Sequence, residues 1–190
     1  QPQSLCKNTF YTPLSEQGFV LANVDKFTQL VAADTEDLFT EFTQTEIADQ
    51  LFEHGAMVVS WGMTPYQYFI GFAEDYPSWL LTEKYKTSFT GHYKVDGAAT
   101  ELAFIRGELL EDYQTIRSSF GDFCKLTIPE SYTPKQGFYH LKFTLYMVDE
   151  DSFGKGSSPV CFLLLESSEE LVTETAPALN YDIFSMSFTS

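Results

Sequence analysis

Three histidines, His54, His92 and His140, are the side chains of this sequence best suited to acid–base chemistry near neutral pH. His92 and His140 lie on the polar faces of two alternating segments, YKTSFTGHYKV and FYHLKFTLYMV. Beside a carboxylate in a shared cavity, either imidazole could act as a general base. The competing interpretation is that both faces simply meet solvent. His54 precedes Gly55 at the end of a predicted helix, where the dipole favours a partly positive imidazole.

No motif of metal or cofactor chemistry is complete. The acidic stretch at 149–154 resembles the start of an EF-hand loop, but Phe153 holds a ligand position and Val160 stands where the bidentate acid belongs. The following GKGSS stretch joins two predicted strands and opens no helix, so it lacks the dipole that a phosphate cradle needs. We therefore expect no metal and no cofactor. An enzyme built on these residues would be a cofactor-free dehydratase or isomerase that uses His92 or His140.

The stretch WGMTPYQYFIGFAEDYPSWLL, Trp61 to Leu81, concentrates ring side chains and holds both tryptophans. A strand over 66–72 would have no polar face, so it must be covered on both sides by core, ligand or a neighbouring subunit. Tyrosine and tryptophan combine apolar bodies with hydrogen-bonding tips, which is typical both of ligand pockets and of subunit interfaces. Plain core filling is the competing interpretation. The predicted ligand site comprises Trp61, Tyr66, Tyr68, Phe72 and Trp79, with Tyr146 or His140 as a polar contact.

Composition and charge limit the class of protein. The 190 residues are 44% hydrophobic and 16% aromatic, with 18 Phe and 11 Tyr, which predicts a compact core rather than disorder. Eleven basic against 27 acidic residues give a net charge of −16, the wrong sign for nucleic acids and for anionic membrane surfaces. No apolar run approaches membrane-spanning length. We expect an extended N-terminal arm at 1–16 and a single globular domain at 17–190.

The three cysteines, Cys6, Cys124 and Cys161, lack the close spacing of zinc or redox motifs. Cys161 lies in PVCFLLLE and is expected to be a buried thiol. In an oxidising compartment Cys6 and Cys124 would form the disulfide, whereas a reducing compartment would leave three free thiols. A chain that begins at Gln1 is what removal of a secretory signal leaves, although a shortened recombinant chain looks the same. We expect a secreted protein.

Along the sequence, the spacing of apolar residues alternates between the period of a helix and that of a strand. Capping and stop signals predict a helix at 45–54 that ends at Gly55, and a second helix around Leu38 and Phe42. Strands are predicted at 56–61, 66–72 and 100–106, the last forming a hairpin with YKTSFTGHYKV through Asp96-Gly97. FYHLKFTLYMV has one apolar face, PVCFLLLE is apolar on both faces and hence central, and YDIFSMSF closes the chain.

These elements predict an α+β fold, a curved antiparallel sheet of six to eight strands covered by two or three helices, with a lipocalin-like β-barrel as the alternative. The order of helix, strand, curved sheet and covering helix resembles the cone-shaped folds of the nuclear transport factor 2-like group. Three functions agree with these features. The first is a secreted, non-enzymatic carrier that encloses a small apolar or aromatic ligand. The second is a structural or storage subunit of a homo- or hetero-oligomer, and the third is the cofactor-free enzyme.

Overall fold

The structure, a computed structural model, describes residues 8–60, 66–148 and 160–173, and of residues 88–90 it describes the backbone alone. Nine strands and four α-helices occur in this part of the chain. The strands are β1 (Thr9–Pro13), β2 (Phe19–Ala22), β3 (Met57–Ser60), β4 (Gln67–Phe72), β5 (Lys86–Asp96), β6 (Glu101–Arg106), β7 (Lys125–Thr127), β8 (Phe138–Val148) and β9 (Val160–Ser167). The α-helices are α1 (Val24–Leu30), α2 (Leu38–Gln44), α3 (Ile47–Glu53) and α4 (Tyr113–Ser119).

The strands form two sheets, and the α+β class is confirmed. The large sheet has five described strands in the order β1-β4-β9-β8-β5, antiparallel except for the parallel pair β4 and β9. The small sheet has four antiparallel strands in the order β3-β2-β6-β7. The lipocalin-like barrel is wrong, because neither sheet closes on itself. No helix of the described ranges is long and apolar enough to span a membrane.

The two sheets pack face to face, and the helices contribute buried side chains to the same core. Phe19 of β2 contacts Phe143 of β8 edge to face, with ring centroids 5.8 Å apart. Every residue of β2 is buried, so the small sheet is covered on both sides. The helices supply Phe27 and Tyr113, whose rings lie 6.2 Å apart, to the same core. We call the region between the sheets the inner layer.

The predicted helices and their boundaries agree with the structure. Asp37 precedes α2 and accepts a hydrogen bond from the Thr40 amide at 3.0 Å, which satisfies one of the free amides of the first turn. Helix α3 falls within the predicted 45–54 range. Gly55 follows α3 with φ of +68°, and a β-carbon there would lie 2.4 Å from the Asp96 amide nitrogen, so no other residue fits this turn.

The predicted hairpin between β5 and β6 is wrong, because the two strands belong to different sheets. The amides that a hairpin would use bond elsewhere. The Asp96 amide donates to the Gly55 carbonyl at 3.0 Å, and the Gly97 amide donates to the Gly137 carbonyl at 2.9 Å. The chain therefore crosses at Asp96-Gly97 from the large sheet to the small one.

The N-terminal and C-terminal predictions have different outcomes. Part of the extended arm predicted for residues 1–16 forms β1, which pairs with β4 and stands first in the order of the described strands of the large sheet. Strand β9 lies in the centre of the large sheet with neighbours on both sides, as its apolar sequence predicted. The closing strand predicted for YDIFSMSF lies outside the described residues.

Candidate functional site

Strand β4 distributes its side chains to the two faces of the large sheet. Tyr68 and Phe72 point into the inner layer, where both are fully buried. Phe69 points to the opposite face, which we call the outer face, and is only partly buried. Tyr66, just before the strand, packs at the margin of the inner layer. The predicted ligand residues Tyr66, Tyr68 and Phe72 therefore share the inner side, whereas the alternation of the β-strand places Phe69 in separate surroundings.

A row of aromatic side chains crosses the outer face. The register places Tyr11 of β1 opposite Phe69, Phe69 beside Phe162 of β9, and Phe162 opposite Tyr146 of β8. The centroids of Tyr11 and Phe69 lie 4.5 Å apart, and those of Phe69 and Phe162 lie 4.8 Å apart with an interplanar angle of 18°. These spacings match the distance between neighbouring strands, and Phe69 stacks on Phe162 while the Tyr11 ring is tilted by 37° against Phe69. We call these four residues the aromatic row.

A segment of irregular chain lies over this row. We call residues 73–85 the cover segment. Its Leu80 is buried with Phe162 and Tyr146 in a small apolar cluster that is separate from the inner layer. Tyr76 packs against Phe162 edge to face at 5.8 Å, and its hydroxyl hydrogen-bonds to that of Thr9. The cover segment and the aromatic row together form a second apolar layer, which we call the outer layer.

Gly71 makes room for one end of the cover segment. It lies on the outer face of β4, and a β-carbon at this position would come within 3.2 Å of the Tyr76 ring and 3.1 Å of the Thr9 hydroxyl. The glycine therefore lets the Tyr76 ring approach the sheet backbone closely. At the same end, the Tyr132 hydroxyl donates to the Glu74 carboxylate at 2.5 Å. The start of the cover segment is thus fixed by side-chain hydrogen bonds.

Trp79 lies on the exposed side of the cover segment, with 54% of its surface accessible. Its ring contacts Tyr85 edge to face at 5.9 Å, and the Lys84 ammonium lies 5.0 Å from the centroid of Tyr85. Trp79 therefore does not line the same space as Tyr68 and Phe72.

Two polar groups are buried in the outer layer. The Tyr146 hydroxyl donates to the Glu166 carboxylate at 3.2 Å, and burial together with that carboxylate raises the pKa of Tyr146 above its usual range. Thr144 lies two residues earlier on the same face, opposite Leu164 of β9, and is fully buried. Its Oγ1 has no hydrogen-bond partner among the described residues. Such unsatisfied groups are rare in folded proteins and call for an explanation.

Both ring nitrogens of His140, a predicted polar contact and candidate base, are engaged by the backbone. It is buried, its Nε2 lies 2.9 Å from the Lys135 carbonyl, and its Nδ1 accepts a hydrogen bond from the Val172 amide at 2.8 Å. Because Nδ1 accepts the Val172 amide, Nε2 is the ring nitrogen that donates to the Lys135 carbonyl. Both ring nitrogens are therefore occupied by the backbone. The ring holds the chain that follows β9 against the loop that precedes β8.

His92 lies on the same outer face as His140, on the neighbouring strand β5. It stands opposite Lys142 of β8, and Lys142 in turn stands opposite Glu166 of β9. His92 is partly buried. The cross-strand neighbour of His92 is therefore a cation rather than a carboxylate, so the pairing register gives no support to a His–carboxylate pair at this position.

Neither Cys124 nor Cys161 forms a disulfide. Cys6 lies outside the described residues, and the Cys6–Cys124 disulfide is not seen, since Cys124 is unbridged. Burial raises the pKa of the Cys161 thiol to about 12, so this cysteine is an inert part of the inner layer, as predicted. Within the described ranges, no group of three or more His, Cys, Asp or Glu side chains is arranged to hold a metal ion.

The structure brings together only some of the predicted site residues. Tyr146 lies in the outer layer and Trp79 on the outside of its cover, whereas Trp61 falls outside the described residues. Sequence reasoning missed Tyr11, Phe69 and Phe162. The available signal was the two-sided apolar character of β4 and β9, which predicts that their outer faces are covered, but register between distant strands is not visible in a sequence.

A comparison with known protein families, with curated proteins and with solved structures finds no match to this chain. The function must therefore be inferred from the residues themselves.

Proposed function

We propose that this chain is a secreted, non-enzymatic binding protein for a small apolar or aromatic ligand, and that the ligand binds in the outer layer. The observation that supports this most is the close approach of Tyr11 to Phe69 at 4.5 Å and the stacking of Phe69 on Phe162 at 4.8 Å, on a sheet face that irregular chain covers among the described residues. A flat ring extends such a stack and gains offset or edge contacts beyond simple burial. The partial exposure of Tyr11 and Phe69 leaves ring surface for it.

The inner layer supports the same choice by contrast. Tyr68 and Phe72 contact only protein interior, and Phe72 packs edge to face on Tyr132 at 5.7 Å. A ligand there would have to displace core side chains, which pack at crystal-like density. The ligand is therefore proposed to bind on the outer face, opposite the face that holds Tyr68 and Phe72.

A second candidate is a structural or storage subunit in which the outer layer meets another copy of the chain. The exposed ring of Trp79 favours this reading, because tryptophan is enriched at the centres of protein interfaces. The enzyme alternative is weaker, because both nitrogens of His140 are engaged by the backbone.

Calorimetric titration with 2-naphthol tests the binding proposal. In Phe69→Leu the stack loses its middle ring, so we expect affinity to fall at least fivefold, in line with the value of an aromatic pair. Phe72→Leu is the matched control, with the same substitution on the same strand and the opposite face. It should bind 2-naphthol as the wild type does, although it lowers the melting temperature more.

The reverse result, with binding lost in Phe72→Leu and kept in Phe69→Leu, would place the ligand between the sheets and contradict the proposal. Sedimentation of the same samples distinguishes the second candidate. A dimer that dissociates in Phe69→Leu and in Trp79→Ala, with no 2-naphthol binding by any variant, would favour the subunit role. Assay of the protein in culture medium and in cells of its source tests the secretion.

A further inference from the structure

No hydrogen bond to the described residues accounts for the buried hydroxyl of Thr144. Thr144 is fully inaccessible, and its Oγ1 lacks a partner among the described residues. Leaving such a group unpaired costs stability, and a valine of the same shape would avoid that cost. The neighbouring Thr87 shows the ordinary alternative, since its hydroxyl donates to the Leu145 carbonyl at 3.0 Å. An unpaired donor in an apolar layer is typical of a group that bonds to something else.

The surroundings of Thr144 are apolar and ring-rich. Leu164 stands opposite it on β9, and Tyr146 follows it on the same face of β8. On the other side, β5 shifts register between Lys86 and Ser88 and again between Phe89 and Gly91, on both sides of the pair Phe89 and Thr144. Register shifts of this kind are over-represented both at the ends of sheets, where β5 stands among the described strands, and beside active sites.

The cover segment has few attachments above this point. Its ends are fixed, at Tyr76 through Thr9 and at Tyr85, whose carbonyl accepts the Met147 amide at 2.8 Å. Between them, the hydrogen bonds of residues 77–84 to other described residues are local, such as the Leu80 amide to the Pro77 carbonyl at 3.1 Å and the Leu81 amide to the Ser78 carbonyl at 3.2 Å. The span is held to the sheet by apolar contacts of Leu80 and Leu81. Segments of this type open at low free-energy cost.

We propose that Thr144 is the polar anchor of a ligand slot beneath residues 77–84, and that the slot selects neutral flat-ring compounds that carry one hydroxyl or carbonyl group. This inference rests on the function proposed above and specifies its ligand class. A neutral group matches a lone hydroxyl, because a charged group buried beside it would remain largely unsolvated. The net charge of −16 and the nearby Glu166 disfavour anions further. The ring enters when the span between Tyr76 and Tyr85 opens, and stacks on the aromatic row.

The test compares 2-naphthol with 2-methylnaphthalene, in which a methyl group replaces the hydroxyl. The wild type should bind 2-naphthol about fivefold more tightly, the contribution of one neutral hydrogen bond. Thr144→Val should bind both probes equally and, without ligand, should melt at a higher temperature than the wild type. Thr144→Ser keeps the hydroxyl and should keep the preference, and it serves as the control if the valine variant folds poorly.

Retention of the fivefold preference by Thr144→Val, or equal binding of the two probes by the wild type, would overturn the anchor role while leaving ring binding in the outer layer intact. Failure of the wild type to bind either probe would overturn the proposed function and the slot with it. The two failures are thus separable by the binding of 2-methylnaphthalene alone.

Discussion

The inner and outer layers are built from the same strands but differ in how they are closed. Between the sheets, Tyr68 and Phe143 are fully buried by regular elements on both sides. On the outer face, Phe69 and Tyr11 remain partly exposed, and the cover is irregular chain held by Leu80 and Leu81. The difference indicates that the inner layer carries the stability of the fold, and that the outer layer has spare apolar surface. The outer layer is therefore the place to look for function.

The largest expected effect breaks the inner layer. Phe143→Ala removes a ring that Phe19 contacts at 5.8 Å and leaves a cavity between rigid sheets, so the free energy of unfolding should fall by about 3–5 kcal/mol. Urea unfolding followed by circular dichroism measures it. A loss below about 1 kcal/mol would mean that the inner layer is not the stabilising core.

A smaller and local effect is expected in the cover segment. Leu80→Ala removes the most buried apolar contact of the span, and the segment can relax toward the sheet, so we expect a loss of about 2 kcal/mol, at the low end for buried leucine. Amide hydrogen exchange should accelerate at 77–85 and stay unchanged in β2 and β6. Acceleration throughout the small sheet would show that the two layers unfold together and would weaken the distinction between them.

The attachment of the chain that follows β9 should depend on the His140 ring. His140→Ala leaves the Val172 amide without its acceptor, while the Lys135 carbonyl keeps the Phe138 amide as a donor at 3.1 Å, so we expect a loss of about 1–2 kcal/mol in urea unfolding. Proteolysis should become faster after β9, near residues 168–173. An unchanged free energy of unfolding would show that these two bonds are not made in solution.

The smallest effect concerns the first turns of α2 and α4. The Thr40 amide lowers the pKa of Asp37, and the Thr115 hydroxyl and amide lower that of Asp112. These carboxyls bind protons more weakly in the folded chain, so their stabilisation is present above their ordinary pKa, near 3.8, and is lost as the pH falls through the lowered values. The urea midpoint should therefore decline below about pH 4.

Asp37→Asn is the matched control for this pH dependence. Asparagine keeps the cap acceptor and removes the titration, so the decline should become shallower while the midpoint at pH 7 changes little. An equally steep decline in Asp37→Asn would assign the acid sensitivity to other carboxyls.

The sequence predicted the elements better than their partners. The alternation of β8 and the two-sided apolar character of β9 were visible because side-chain period is a local property. The hairpin of β5 with β6 failed because the amides of Asp96 and Gly97 bond to distant carbonyls, which no local pattern reveals. The same limit applies to the aromatic row, since Tyr11 and Phe162 are joined only by the register of three strands. The sequence identified β4 as rich in aromatic residues, but it did not show which of its two faces carries the proposed site.

Hydrogen exchange of the wild-type protein with and without 2-naphthol tests the central claim most directly. If the ligand binds in the outer layer, amide exchange should slow in residues 77–85 and in the C-terminal part of β8, from Lys142 to Val148. Exchange should remain unchanged in β2 and β6. Protection confined to β2 and β6, or protection nowhere in the chain, would contradict a binding site on the outer face.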